Sequence, residues 1–253
     1  MKASGFFDGV EQVKVPWRDT TIRLPVFYQD VRMLSAMFMA PLAGLRALLP
    51  SMRLQPIRLT PWHGLVYIAA YEYRACDLGP YNEVGIFIPV SLDRPSPVFT
   101  GLLLPAPAEP DVYIVHLPVT TEIACALGIE SAAYPKFLAD IEFQEQGDWV
   151  SCRLSETGRH ILTLAVRKGQ LKPVPRSRAH VINARAGRLL RPLVIYAETE
   201  LATSRSTGDA KLELGDHPIS RELRDLRLGR MVGCEYGPHM QTILTPILES
   251  FAI

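Results

Sequence analysis

Gly64-Leu65-Val66-Tyr67-Ile68-Ala69-Ala70-Tyr71-Glu72-Tyr73, followed by Glu83-Val84-Gly85-Ile86-Phe87-Ile88-Pro89-Val90-Ser91-Leu92, sets the fold class. Both segments are short and rich in β-branched and aromatic side chains, which suit a pleated, half-buried surface. Asp111–Val119 reads the same way, as do Leu138–Phe143, Trp149–Leu154, Ile161–Val166, Ala179–Asn183, Leu193–Glu198 and Ala210–Leu214. Glu145-Gln146-Gly147-Asp148 is a hairpin turn between two of them. Leu24–Tyr28 is a short extended segment in which Pro25 marks an edge or a strand start. Helical spacing is confined to Ala43–Leu49, stopped by Pro50, and to a short helix running through Ala126, with Thr120 as N-cap and Gly128 as the C-cap glycine. Many short strands, few helices and no βαβ alternation predict a mainly β (α+β) protein built on an antiparallel sheet or barrel. Neither a repeat nor a linker divides the chain, so residues 1–253 read as one domain, with residues 1–20 as an irregular arm. The proline-rich stretch at 95–110 reads as a packed surface loop or an oligomer contact.

Composition narrows the function. Hydrophobic residues make up 48% of the chain and charged ones 21%, which supports a sizeable core. A net charge of +1 gives no electrostatic reason for nucleic acid or an anionic membrane as partner. The longest apolar stretch, Met33 to Pro50, is interrupted by Pro41 and Arg46 and is no membrane span. Asp8 and Glu11 fall where a signal peptide needs an apolar core, so a cytoplasmic protein is expected. The four cysteines, Cys76, Cys125, Cys152 and Cys234, are far apart and read as reduced, buried thiols. The six histidines lack metal-ligand spacing, and no dinucleotide, Walker-type or nucleophile-elbow motif is present, so neither a metal nor an organic cofactor is expected.

Chemistry is concentrated in Glu130-Ser131-Ala132-Ala133-Tyr134-Pro135-Lys136-Phe137-Leu138. Lys136 stands among Tyr134, Pro135, Phe137 and Leu138. If these pack inward, desolvation penalises its ammonium form; full burial lowers a lysine pKa by roughly 3–5 units. A neutral amine is a nucleophile toward ketones. A second candidate is Glu83, which opens an otherwise apolar strand in Leu78-Gly79-Pro80-Tyr81-Asn82-Glu83-Val84-Gly85. Either it sits at a strand end in water, or it faces a pocket and moves a proton. Tyr81 and Tyr134 are pocket hydroxyls or core aromatics, with Tyr134 the better core candidate.

These residues resemble the acetoacetate decarboxylase family. E-S-A-A-Y-P-K-F-L is similar to its active-site stretch, and L-G-P-Y-N-E-V-G-I-F-I-P-V-S to its second signature; Leu45–Pro50 and Leu212–His217 are weaker echoes in consistent order. The resemblance implies an antiparallel β cone or barrel and a homo-oligomer. Lys136 matches the Schiff-base lysine and Glu83 the pocket glutamate. The substrate-side arginine falls near Arg32, with Arg23 as rival, and Tyr81 and Phe137 join the substrate-binding set. Two departures stand out: the family's second lysine is here Phe137, and its other acidic residue falls at about Ile68. Both remove polar groups, which leaves iminium formation intact and puts decarboxylation in question. The expected activity is therefore a cofactor-independent Schiff-base lyase or hydratase on a small oxo acid, of the aldolase-dehydratase type. Decarboxylation of a 3-oxo acid is the second reading, and a non-catalytic ligand-binding member of the fold the third.

Overall fold

The computed structural model describes residues 5–94 and 109–253. In chain order the elements are β1 (Val13–Trp17), β2 (Thr20–Leu24), β3 (Val26–Pro41), α1 (Leu42–Ala47), β4 (Leu54–Pro56), β5 (His63–Cys76), β6 (Tyr81–Leu92) and β7 (Asp111–His116). Then come α2 (Glu122–Ala132), β8 (Asp140–Gln146), β9 (Trp149–Glu156), β10 (Arg159–Arg167), β11 (Lys172–Val174), β12 (Ser177–Arg185), β13 (Arg188–Tyr196) and β14 (Thr199–Ser204). The last are β15 (Ala210–Leu214), α3 (Pro218–Asp225) and β16 (Met231–Ala252). The expected proline-rich loop lies almost entirely outside the described residues. No helix among them is long and apolar enough to cross a membrane.

Seven strands close into a barrel in the order β16-β13-β12-β7-β6-β5-β3, with β3 pairing back onto β16. All of its pairings are antiparallel except β7 with β12, where His180 faces Asp111 and Ile182 faces Tyr113 in parallel register. β16 is 22 residues long and pairs with β3, β13 and β14; bulges around Gly233, Met240 and Thr242 bend it between them. A four-stranded sheet, β15-β10-β9-β8, packs on the outside of the barrel. Its Glu145–Asp148 turn is formed as expected, with Gly147 at positive φ. The arm expected to be irregular instead forms the β1–β2 hairpin. It docks on the end of α2, where Trp17 Nε1 donates to Glu130 Oε2 at 2.7 Å and Arg18 pairs with the same carboxylate.

The two faces of the barrel wall differ chemically. The outward face of β3, β5 and β6 carries Leu34, Ala36, Ile68, Ile86 and Ile88, which meet Ile141, Val150, Leu154, Leu162 and Leu164 of the outer sheet. Leu45 of α1 and Leu223 of α3 seal its edges. The inward face is aromatic: Tyr28, Tyr81 and Tyr134 are buried there, with Tyr67, Tyr71, Tyr73 and Tyr196 packed beside them. Because β3 is covered on both faces, its sequence is apolar almost throughout, and the period-two signature of a strand is lost.

Stability is expected to reside in the outer layer. Leu154→Ala should lower the unfolding free energy by about 2–5 kcal/mol, as for other fully buried leucines. Urea titration checks this, and the chemistry of the barrel interior should be unaffected under conditions where the variant is folded.

Candidate active site

The site starts at the end of α2. The helix runs past the expected stop at Ala126 to Ala132, with Thr121, not Thr120, at its N-cap. It ends where Ala133 turns left-handed (φ 55°) and the N–H groups of Ala133 and Tyr134 donate to the carbonyls of Ile129 and Gly128. Gly128 is therefore inside the helix and is not its cap. Its role is close approach: a Cβ there would lie 2.6 Å from both Cδ and Cε of Lys136. The glycine lets the lysine stem cross the helix surface.

After Ala133 the chain is extended and lies beside residues 117–119, through Leu117 N to Pro135 O at 3.2 Å and Val119 N to Phe137 O at 2.9 Å. Extended backbone sends successive side chains to opposite sides. Tyr134 and Lys136 point into the barrel, whereas Phe137 packs against the aliphatic layer outside it. Glu83 reaches the same space from β6, on the same face as Tyr81.

Lys136 Nζ donates to Glu83 Oε2 at 2.8 Å, with the two side chains only 6% and 8% exposed. Tyr73 donates its hydroxyl to the other oxygen, Oε1, at 3.1 Å. The rings of Tyr81 and Tyr134 lie 5.7 and 5.8 Å from the lysine nitrogen, and the Tyr28 and Tyr81 hydroxyls are 3.4 Å apart. Two charges out of water cost several kcal/mol each unless they meet each other and the remaining lone pairs are satisfied. Here both carboxylate oxygens have partners. Burial, reinforced by the Glu83 charge, pushes the phenols of Tyr28 and Tyr73 well above their usual range; Tyr81 is raised by burial, Tyr28 and Glu83. All three stay protonated; Tyr73 donates to Glu83, and Tyr28 and Tyr81 share one hydrogen bond.

The other expected substrate-binding groups lie elsewhere. Arg32 sits in a register row with Glu72 and Asn82, on the face opposite the Met33–Tyr71–Glu83 row. Its Nε is 2.9 Å from Glu72, its Nη1 pairs with Glu145, and its guanidinium lies 5.2 Å from the centre of the Phe143 ring. Strand alternation thus turns Arg32 outward, toward the outer sheet. The rival Arg23 is exposed on β2. Among the described residues no arginine contacts Lys136 or Glu83. Phe137 and Ile68, where the sequence departs from the family pattern, also belong to the outer layer. Neither alters the polarity of the barrel interior.

Sequence reasoning missed Tyr73, although Tyr67, Tyr71 and Tyr73 at even spacing within one strand already share a face. It also missed Glu235. This residue stands in the row Glu235–Ser35–Ala69–Gly85, one step from the row Gly237–Met33–Tyr71–Glu83 and on the same inner face. Ser35 Oγ donates to Glu235 Oε2 at 3.3 Å, and no lysine, arginine or histidine among the described residues pairs with it. Burial raises its pKa above the ordinary 4.5, an effect the Ser35 hydrogen bond only partly offsets.

The family model for acetoacetate decarboxylase matches residues 13–246. The chain belongs to the acetoacetate decarboxylase family. Solved structures agree on the fold of this acetoacetate decarboxylase family member. The acetoacetate decarboxylase of Legionella pneumophila is 17% identical, with a TM-score of 0.62 over 90% of this chain and 87% of that one. The enduracididine biosynthesis enzyme MppR complexed with pyruvate is 12% identical, with a TM-score of 0.62 over 89% and 91%. An acetoacetate decarboxylase-like enzyme from Sphingomonas wittichii is 17% identical, with a TM-score of 0.56 over 89% and 94%. A search of curated proteins by sequence returned no match.

Two outcomes are expected. Gly128→Ala should leave the urea midpoint nearly unchanged, because the roughly 1 kcal/mol by which alanine favours a helix interior offsets the cost of displacing the lysine stem. It should still slow reductive trapping at Lys136 about tenfold or more, a loss of roughly 1.4 kcal/mol, because the new methyl displaces the lysine stem from Glu83. Glu235 binds its proton more tightly in the folded state, so its contribution to stability is present below pH 4.5 and declines as pH rises through the folded value. Glu235→Gln should therefore be more stable than the parent chain above neutral pH and should lose this advantage in acid, as read from urea titrations across pH.

Proposed function

We propose that this family member is a cofactor-independent lyase that forms a Schiff base between Lys136 and a small oxo acid. The observation that carries the reading is the 2.8 Å contact of Lys136 Nζ with Glu83 inside the tyrosine-lined barrel. The free amine attacks the ketone carbon. Glu83 is placed to take the Lys136 ammonium proton, which frees the amine; after attack a proton passes from nitrogen to the former ketone oxygen, and Glu83 returns the proton it holds to the resulting carbinolamine hydroxyl, which leaves as water. The resulting iminium is an electron sink for a carbanion on the neighbouring carbon. With Glu83 still adjacent to move a proton at that carbon, aldol-type or dehydrating chemistry follows. The solved fold relative MppR was complexed with pyruvate, which supports a small oxo acid as ligand class.

A specific observation also supports decarboxylation of a 3-oxo acid. Phe137 and Ile68 face the outer layer, so these two departures take nothing from the pocket. The two activities use the same iminium and diverge only in the bond that breaks.

Borohydride trapping separates them. Treatment with pyruvate should add mass to the peptide containing Lys136, and Lys136→Ala should abolish the adduct. Stronger trapping with acetoacetate, accompanied by acetone release, would favour the decarboxylase reading. No adduct with either compound at millimolar concentration would sink the Schiff-base proposal and favour a ligand-binding protein without turnover.

A further inference from the structure

The mechanism proposed above leaves Glu235 without a task, although the barrel places it on the same inner wall as Glu83. Only the small side chains of Ser35 and Ala69, together with Gly85, share its row across β3, β5 and β6. Tyr67 and Tyr71 flank that row on β5. The Ser35 hydroxyl at 3.3 Å is the sole hydrogen-bond partner of Glu235 among the described residues. A carboxyl group in such a place is costly to keep without partners and is seldom found there unless something engages it.

We infer that Glu235, with the hydroxyls of Ser35, Tyr67 and Tyr71 around it, forms a second polar subsite that receives a hydroxyl group carried by the substrate beyond its ketone. The inference rests on the Schiff-base reading, since Lys136 fixes the ketone end. Three features select a hydroxyl. A ligand carboxylate would meet another carboxyl group with no cation beside it, a like-charge contact in a poorly solvated space. A purely apolar end would leave Glu235 unpartnered. A hydroxyl both donates and accepts, so it matches the carboxyl group in either protonation state. Tyr196 senses both carboxyl groups: burial raises it to about 12, and Glu235 and Glu83 both add to that rise. Tyr71 is likewise raised by burial, with the two carboxyl groups contributing. These two tyrosines therefore lie within electrostatic reach of both groups. A hydroxylated oxo acid, held by Lys136 at its ketone and by Glu235 at its hydroxyl, is the substrate class this arrangement favours.

The test compares borohydride trapping at Lys136 with 2-oxobutanoate and with 4-hydroxy-2-oxobutanoate, read by intact mass over a concentration series. In the parent chain the hydroxylated compound should reach half-maximal trapping at a concentration at least about tenfold lower, because a site built for a hydroxyl rejects the analogue that lacks it. Glu235→Leu should bring the two values together. Glu235→Gln should keep most of the preference, since a carboxamide also donates and accepts. Equal values in the parent chain, or a preference that survives in Glu235→Leu, would overturn the inference while leaving the imine intact. If Glu235→Leu does not fold, Glu235→Ala decides by the same comparison. No adduct with either compound in the parent chain would remove the Schiff-base reading and this inference together.

Discussion

The contact between Lys136 and Glu83 is the constraint to which the barrel interior answers. Neither charge would be tolerated alone at that depth, because an uncompensated buried ion costs several kcal/mol. Each is present because the other is, and because Tyr73 occupies the remaining carboxylate oxygen. The arrangement sets conditions on its surroundings. α2 must have no side chain at Gly128, the chain must turn at Ala133 to send Lys136 inward, and β6 must keep the register that puts Glu83 on the inner face. Aromatic rings with hydroxyl tips meet the remaining demand, since they exclude water and still offer donors.

Such an interior packs less like a hydrocarbon than the core of a typical domain, and the protein places its stability elsewhere. The aliphatic layer between the barrel and the β15-β10-β9-β8 sheet contains most of the fully buried large side chains. Each contributes on the order of 1.5–3 kcal/mol on burial. The barrel wall thus has one face for cohesion and one for chemistry. Substitution on the outer face changes how firmly the wall stands, whereas substitution on the inner face changes the surroundings of Lys136 and Glu83. Phe137 illustrates the division: adjacent to Lys136 in sequence, it belongs to the other layer in space.

Much of this was legible from the residues. Lys136 and Glu83 stand out as an amine among apolar neighbours and a carboxyl group at the head of an apolar strand; the residues alone left Glu83 between a solvated strand end and a pocket, and the family resemblance pointed to the pocket. The β character was also plain from segments such as Gly64–Tyr73. What stayed hidden depends on long-range register. Arg32 looked available because β3 is apolar on both faces and shows no alternation from which to assign an inward side; only its pairing with Glu72 reveals the direction. Gly128 resembled a cap because close approach to a side chain eight residues on leaves no local signature. Glu235 gave no sign at all, since its meaning comes from a pairing with Ser35 across a separation of 200 residues. The β1–β2 hairpin was missed because a two-stranded ribbon is poorly specified by its own sequence and depends on the surface it docks against.

The pairing of β3 with β16 has a consequence for how the chain is made. β3 precedes most of the described strands and β16 is the last of them, so the barrel is an open sheet until β16 has been made. Its unpaired β3 edge is available to other chains during that time, a known route to misassembly. Closure joins partners far apart in sequence, which slows folding through the entropy of the long intervening loop. The outer sheet, whose strands β8, β9 and β10 are consecutive hairpins, can form earlier and shield one face of the waiting wall. The tyrosine-lined interior then closes only when the last strand arrives, and until that moment Lys136 stands without the enclosure that buries its pair with Glu83.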